Sequence, residues 1–157
     1  MKSPQAISLV DSTIIIMLGN RLLKSALSAA RKQQCCLLSS ATTTRLGTDV
    51  LPTMSQAVIH NDIVYLSGQV DGTAEDVVGQ TKNVLAKVDK YLEEAGTDKS
   101  KLLTSTIWLK DIERDFGVFN QVWCEWIDKN NKPVRATTEA SLAAPNMLVE
   151  IQVTAAK

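Results

Sequence analysis

TAEDVVGQTKNVLAKVDKYLEEA, residues 73–95, is the segment from which the architecture of the chain can be deduced most directly. Its apolar side chains recur at helical spacing, its charged side chains lie on the opposite side, and Gly96 follows as a stop signal. A helix with one apolar stripe must bury that stripe against another layer of structure. The segment therefore predicts an amphipathic helix that covers a sheet. The residues predicted on the stripe are Val77, Val78, Thr81, Val84, Leu85, Val88 and Leu92.

Strand-like segments flank this helix on both sides. Before it, residues 55–60 and 62–69 form two β-rich runs, and Asn61-Asp62 between them is a good hairpin signal. After it, residues 102–110 alternate in the manner of a half-buried strand. The residues predicted on one face of that strand are Leu103, Ser105, Ile107 and Leu109.

A second amphipathic helix is predicted to begin near Asp115, and two short strands around Arg135 and Glu150 close the chain. The order is ββαβαββ, which predicts an α+β fold with two helices packed on one face of a mixed sheet. Such a sheet leaves its other face uncovered, so we expect a homo-oligomer to bury that face. The apolar stripe predicted for the second helix comprises Phe116, Phe119, Val122, Trp123, Trp126 and Ile127.

Composition and charge describe a small globular domain with a basic N-terminal segment. The chain has 157 residues, of which 45% are hydrophobic and 22% charged, and its formal net charge is zero. Through Thr48 there are six basic residues and one acid, so the remainder carries a balance of −5. Binding to a phosphate backbone depends on clustered Lys and Arg, which an acidic domain lacks. The composition therefore argues against a nucleic acid partner.

The N-terminal segment has the composition of a targeting sequence. Residues 17–48 contain no acid and are rich in Ser, Thr and Ala, and residues 21–32 can form a helix with leucines on one face and cations on another. The sequence predicts a mitochondrial transit peptide or disordered tail over residues 1–48 and a folded domain over residues 49–157. We expect the mitochondrial matrix as the location, with the cytosol as the alternative.

Two further possibilities concern the start of the chain. The apolar run at residues 14–18 could belong to a secretory signal, but it is too short to span a bilayer, so no membrane anchor is predicted. Translation from Met17 would give a presequence with no acid before Asp49. An alternative start at Met17 is therefore a hypothesis beside Met1.

Cysteine and histidine usage predicts neither a metal nor a redox cofactor. Cys35 and Cys36 lie in the predicted presequence, which leaves Cys124 alone on a predicted helix as a small buried hydrophobe. His60 is the single histidine of the chain. A structural or catalytic zinc site needs three or four Cys, His or carboxylate ligands in close spacing, and no such cluster is present in the sequence.

A candidate site lies in residues 133–140 and 149–152, PVRATTEA and VEIQ, which a turn at Pro145-Asn146 joins. The guanidinium of Arg135 presents a rigid fork of donors that fits a carboxylate at two points, and Glu150 could hold a water. An Arg beside a Glu on paired strands could thus anchor an acidic substrate and handle a water. The alternative is an exposed Arg–Glu pair on an edge hairpin, which contributes little.

Several short motifs together resemble a known family. Their order and spacing over some hundred residues are similar to the YjgF-type reactive intermediate deaminases, the Rid family. The motifs are Val64-Tyr65-Leu66-Ser67-Gly68-Gln69, Gln80-Thr81 with Asn83, Leu109-Lys110-Asp111, Asn120, Pro133-Val134-Arg135 and Val149-Glu150-Ile151.

This resemblance implies a chorismate-mutase-like fold, assembled as a homotrimer whose sheets form a central barrel with clefts between subunits. It implies hydrolysis of 2-imino or enamino acids to 2-keto acids and ammonia, without a cofactor. By the same resemblance, Arg135 binds the substrate carboxylate, Glu150 orders the attacking water, and Ser67 and Gly68 contribute backbone contacts. The partner is then a small imino or keto acid, bound between subunits.

Two positions depart from the pattern of that family. Met54 stands where many members have a tyrosine, and Thr137 stands where they often have a cysteine, whose contribution is expected from the backbone carbonyl. If Met54 closes the cleft, a non-catalytic ligand-binding or chaperone-like trimer is the alternative function. A ribonuclease or translation inhibitor is disfavoured by the acidic domain and by the lack of a second histidine for acid and base catalysis.

Overall fold

Seven strands and two α-helices follow one another along residues 42–157, the part of the chain that the computed structural model describes. The strands before the first helix are β1 (Thr43–Leu46), β2 (Ala57–His60), β3 (Ile63–Leu66) and β4 (Gln69–Val70). The remaining elements are α1 (Val77–Glu94), β5 (Leu102–Leu109), α2 (Ile112–Trp126), β6 (Val134–Glu139) and β7 (Val149–Ala156), with a 3-10 turn at Lys99–Lys101 between α1 and β5.

The strands form one mixed sheet in the order β1-β2-β3-β7-β5-β6, and β4 also pairs with β7. Every pairing is antiparallel except that of β5 with β6, which is parallel. The predicted α+β architecture is confirmed. The expected hairpin of the Arg135 and Glu150 strands is wrong, because β6 and β7 both pair with β5 and lie on either side of it.

The first strand precedes the predicted start of the folded domain. Thr43 to Leu46 pair in antiparallel register with His60 to Ala57, whereas the sequence placed the domain boundary at Asp49. The boundary missed this strand because its four residues are too few to show a periodicity within a basic, polar segment. The remaining predictions for the presequence, including Cys35, Cys36 and the start at Met17, fall outside the described residues.

Both helices begin at aspartate caps. The side chain of Asp76 accepts a hydrogen bond from the Gly79 amide at 2.7 Å, and that of Asp111 accepts one from the Arg114 amide at 3.0 Å. A carboxylate at this position satisfies an otherwise unpaired amide and interacts favourably with the positive end of the helix dipole. The second helix therefore begins three residues earlier than the sequence indicated, at Ile112 rather than Asp115.

The core lies between the two helices and one face of the sheet, called here the helix face. Ile107 and Leu109 on β5 and Ile151 on β7 are fully buried there. Leu103, predicted on that face, is 43% exposed because a register shift between Leu102 and Thr104 turns it away. The helices contribute Val84, Leu85, Val88, Leu92, Phe119 and Trp123.

Cys124 corrects another prediction: it is exposed rather than buried. It directly follows the buried Trp123 on α2, and one step along a helix turns a side chain by about 100°. The thiol therefore lies beside the apolar stripe rather than on it.

The opposite side of the sheet, called here the open face, carries apolar and polar side chains exposed to solvent. Val134 is 72% exposed and Tyr65 is 48% exposed. Strand register also assigns Trp108 to this face, because it lies opposite Glu150 in the β5–β7 ladder while its neighbours Ile107 and Leu109 are buried on the helix face. Neither helix within residues 42–157 has the length and apolarity needed to cross a membrane.

Candidate functional site

The side chain of Glu150 lies against the backbone of Gly68. Glu150 follows the buried Val149 on β7, so the alternation of the strand directs its carboxylate to the open face. A Cβ atom placed on Gly68 would overlap Glu150 Oε1 and would lie 2.9 Å from Glu150 Cδ. The carboxylate therefore rests directly on the backbone of Gly68, and no larger residue at position 68 leaves room for it.

Two apolar residues flank Glu150 on the neighbouring strands. Trp108 on β5 and Val70 on β4 are its register partners, so their side chains lie on the same face. Within residues 42–157 the carboxylate makes no hydrogen bond or ion pair, and it is half-buried. This burial raises the pKa of Glu150, because a low-dielectric surrounding penalises the charged form. A carboxylate with a raised pKa and free lone pairs is suited to accept and return a proton.

Gly68→Ala is expected to expel the Glu150 carboxylate from this position. The pKa of Glu150 should then fall toward its ordinary value, because the carboxylate gains solvent. The free energy of unfolding should change by less than about 1 kcal/mol, since the displaced atoms end a flexible side chain. Carbon-13 NMR titration of the carboxyl groups, assigned with Glu150→Gln, measures the pKa. An unchanged value in Gly68→Ala would contradict the contact.

The guanidinium of Arg135, which is on β6, lies beside three side chains of α2 and is open to solvent on its other side. Its Nη1 donates a hydrogen bond to Asn120 Oδ1 at 2.9 Å, and its guanidinium carbon lies 5.5 Å from the ring centre of Trp123 and 5.9 Å from that of Phe116. A guanidinium near the faces of aromatic rings is held by cation–π attraction without using its other donors. The group is exposed, and its Nε and Nη2 have no partner within the described residues. Those donors remain available for a carboxylate.

One chain keeps Arg135 and Glu150 apart. Arg135 pairs in register with Ser105, which is buried on the helix face, whereas Glu150 pairs with Trp108 on the open face. The two candidate side chains thus project from opposite faces of the sheet. They are also three β5 positions apart, roughly 10 Å along the strand, with β5 between them. The expectation that they lie side by side on paired strands is wrong for a single chain.

The other predicted residues divide between these two places. Thr137 is the next residue after Arg135 on the helix face, and its buried Oγ1 has no hydrogen-bond partner among residues 42–157. Ser67 adjoins Gly68, and its Oγ accepts a hydrogen bond from Gln69 Nε2 at 2.8 Å. Met54 is 39% exposed in the loop between β1 and β2.

The structure also shows functional neighbours that the sequence analysis had not assigned. In the sequence, Asn120 was only one of the motifs of the family resemblance, and Phe116 and Trp123 were assigned to the apolar stripe of a helix. Phe116 is 39% exposed, so it is a poor core residue and a better wall for a cation. In residues 42–157 no group of three or more His, Cys, Asp or Glu side chains is placed to hold a metal ion.

Comparison with known proteins places this geometry in a family. Residues 48–157 match the family model described as Endoribonuclease L-PSP. A RutC family protein of Haemophilus ducreyi is 44% identical over 109 residues, which are 69% of this chain and 92% of the relative. The RutC family protein YoaB of Escherichia coli K12 is 40% identical over 102 residues, which are 65% of this chain and 89% of that relative. The crystal structure of a YjgF family member from Neisseria meningitidis is 40% identical and superimposes with a TM-score of 0.71, covering 74% of this chain and 95% of that one.

Proposed function

The chain belongs to the endoribonuclease L-PSP family, the family of the YjgF and RutC proteins, and we propose that it hydrolyses 2-imino acids to 2-keto acids and ammonia. One observation carries this proposal. Glu150 holds a partly desolvated carboxylate with free lone pairs directly on the backbone of Gly68. Arg135, with an unoccupied edge of its guanidinium, supports the choice of a substrate that carries a carboxylate.

The chemistry needs little more than placement of water and a proton carrier. The carbon of a C=N bond is already electrophilic, so a positioned water can add to it once a base removes a proton. Glu150 takes that proton and returns it to the nitrogen. In the resulting carbinolamine, Glu150 takes the hydroxyl proton and passes it to the amine nitrogen, the C–N bond breaks, and ammonia leaves as the oxygen becomes the carbonyl of the keto acid. Water is the only co-reactant, and no cofactor takes part.

The position of the two residues favours a site that is built between copies of the chain. A short 2-imino acid cannot reach both sides of one sheet. Because β6 is an edge strand, Arg135 at the edge of one copy can meet Glu150 on the open face of another copy that packs against that edge. The exposed Val134 and Tyr65 on that face are the kind of apolar surface that assembly buries. We therefore propose a homotrimer with intersubunit sites, the assembly that the family resemblance implies. The acid-free, Ser-rich composition of residues 17–48 supports the mitochondrial matrix as its proposed location.

The test is ammonia release from 2-iminobutyrate and 2-iminopropionate that an amino acid oxidase generates in the assay. Residues 42–157 contain the whole described fold and are the portion to purify. Acceleration over the buffer reaction supports the proposal. A folded oligomer that gives no acceleration and still binds 2-oxobutyrate by calorimetry would contradict it and favour the ligand-binding alternative, for which the exposed Met54 in place of a phenol is the specific observation.

A ribonuclease function receives less support from the site. RNA cleavage by acid and base catalysis would need a second titratable group beside the only histidine, and His60 Nδ1 is 2.8 Å from Thr43 Oγ1 on the edge strands. The family description alone favours that activity.

A further inference from the structure

The backbone on which the Glu150 carboxylate rests is an interruption of the sheet. β3 ends at Leu66 and β4 begins at Gln69, so Ser67 and Gly68 lie between two strands and outside both ladders with β7. Two glutamines, Gln56 and Gln69, flank this interruption and are only 6% and 4% exposed. Buried amides are uncommon and must be satisfied by hydrogen bonds.

The side chains of the two glutamines form hydrogen bonds with each other and with Ser67 in the interruption. Gln69 Nε2 donates to Gln56 Oε1 at 3.1 Å, to Ser67 Oγ at 2.8 Å and to the Ser67 carbonyl at 3.3 Å. The main-chain carbonyl of Gln56 also accepts a hydrogen bond from the main-chain N–H of Ser67 at 2.9 Å. Together these contacts determine the path of the backbone at the residue immediately before Gly68.

Gln56 is in turn fixed to the end of β1. Its main-chain N–H donates to the Leu46 carbonyl at 2.9 Å, and a Cβ placed on Gly47 would lie 2.7 Å from Gln56 Cγ. Gly47 has a φ of +59°, a conformation that glycine adopts without strain. The amide pair therefore connects a rigid turn on one side with the support of the carboxylate on the other.

We propose that Gln69 and Gln56 are positioning residues, which hold the Ser67-Gly68 backbone against Glu150 and so aim its carboxylate at the substrate. This role rests on the proposed imine hydrolysis. For stability alone, a buried amide pair has no advantage over apolar side chains of similar size. Placement of a catalytic group, in contrast, is sensitive to shifts of about 1 Å, which can cost about 10²-fold in rate.

The test compares near-isosteric substitutions with a matched structural control. Gln69→Met removes all three donated bonds, and Gln56→Met removes the acceptor on the other side. Thr97→Val is the control, because Thr97 is also buried and its hydroxyl donates to the Ala156 carbonyl, at the opposite end of β7 from Glu150. Each variant is checked for equal oligomeric state and then assayed with 2-iminobutyrate.

We expect kcat to fall about tenfold or more in each glutamine variant, with KM changed by less than about threefold, because the misplaced group is Glu150 rather than Arg135. Thr97→Val should keep the kcat of the original chain. The same kcat in Gln69→Met and Thr97→Val would overturn the proposal and leave the proposed function intact.

A second measurement decides the matter if the chain proves inactive on imines. Carbon-13 titration of Glu150 follows its environment without turnover. If the glutamines support Gly68, the pKa of Glu150 falls toward its ordinary value in Gln69→Met or Gln56→Met and is unchanged in Thr97→Val. An unaltered Glu150 titration in both glutamine variants would refute the positioning role, whether or not the protein is a deaminase.

Discussion

Glu150→Gln is expected to lower kcat for imine hydrolysis about 10²- to 10⁴-fold, the range typical of removing a general acid–base group. Glutamine keeps the size of the side chain and its place on Gly68, so KM should change little. Steady-state ammonia release gives both constants. Glu150→Asp, which retains the carboxylate on a shorter arm, serves as the companion variant. A kcat in Glu150→Gln equal to that of the original chain would remove Glu150 from the mechanism.

The raised pKa of Glu150 also gives a pH dependence. As a base, Glu150 must be ionised, so kcat/KM should fall as the pH falls through its raised pKa, and this limb should be absent in Glu150→Gln. Stability changes in the opposite sense. A carboxyl whose folded pKa exceeds its unfolded pKa contributes stability below the unfolded value and loses it as the pH rises through the folded value. Glu150→Gln should therefore be the more stable protein at pH 7.5 but not at pH 4, by urea denaturation.

Arg135→Lys is expected to lower kcat/KM about 10²-fold, mainly through KM, because lysine keeps the charge but loses the two-point fork. The structure strengthens this expectation. Nη1 is committed to Asn120 and the plane is held near Trp123 and Phe116, so the orientation of the free edge depends on a planar guanidinium. The matched control is Arg114→Lys, since Arg114 is bonded to Asp115 within its own helix. Equal kcat/KM in Arg135→Lys and the original chain would exclude a carboxylate anchor at this residue.

Mixing two inactive variants tests whether the site spans two chains. Co-expressed Arg135→Ala and Glu150→Gln should recover about a quarter of the original activity, since each site in a random assembly has one chance in two of receiving each intact residue. Neither variant alone should recover. Failure of the mixed oligomers to regain activity, with subunit exchange verified by mass spectrometry, would place both residues in one chain's site.

The sequence was sufficient for the layers of this fold and insufficient for its lateral order. Helical spacing in residues 73–95 and the Asn61-Asp62 turn, where both residues have positive φ, specified a helix and a hairpin locally. The order of strands was less accessible. The short connection at residues 140–148 suggested a hairpin, but parallel pairing of β6 with β5 inserted β5 between Arg135 and Glu150.

The residue types of Arg135 and Glu150 suggested only that an acidic substrate could be anchored beside a water, and the hydrolase prediction came from the family resemblance. The contacts of these residues could not be predicted. The contact of Glu150 with Gly68 depends on where β3 breaks off, and local periodicity contains no signal for a two-residue interruption. Asn120 likewise became a partner of Arg135 only when α2 packed over β6.

Strand β1 sets a limit on where a processing protease can cut. Its four residues cover one side of β2, which would otherwise become the outermost strand of the sheet. A cut at residue 48 would leave the amides and carbonyls along that side of β2 bare, and such an edge is a template for aggregation. If the N-terminal segment is removed, as the proposed mitochondrial location would require, we expect a mature protein that does not aggregate to begin upstream of Thr43 and so to keep the first backbone pair of the sheet.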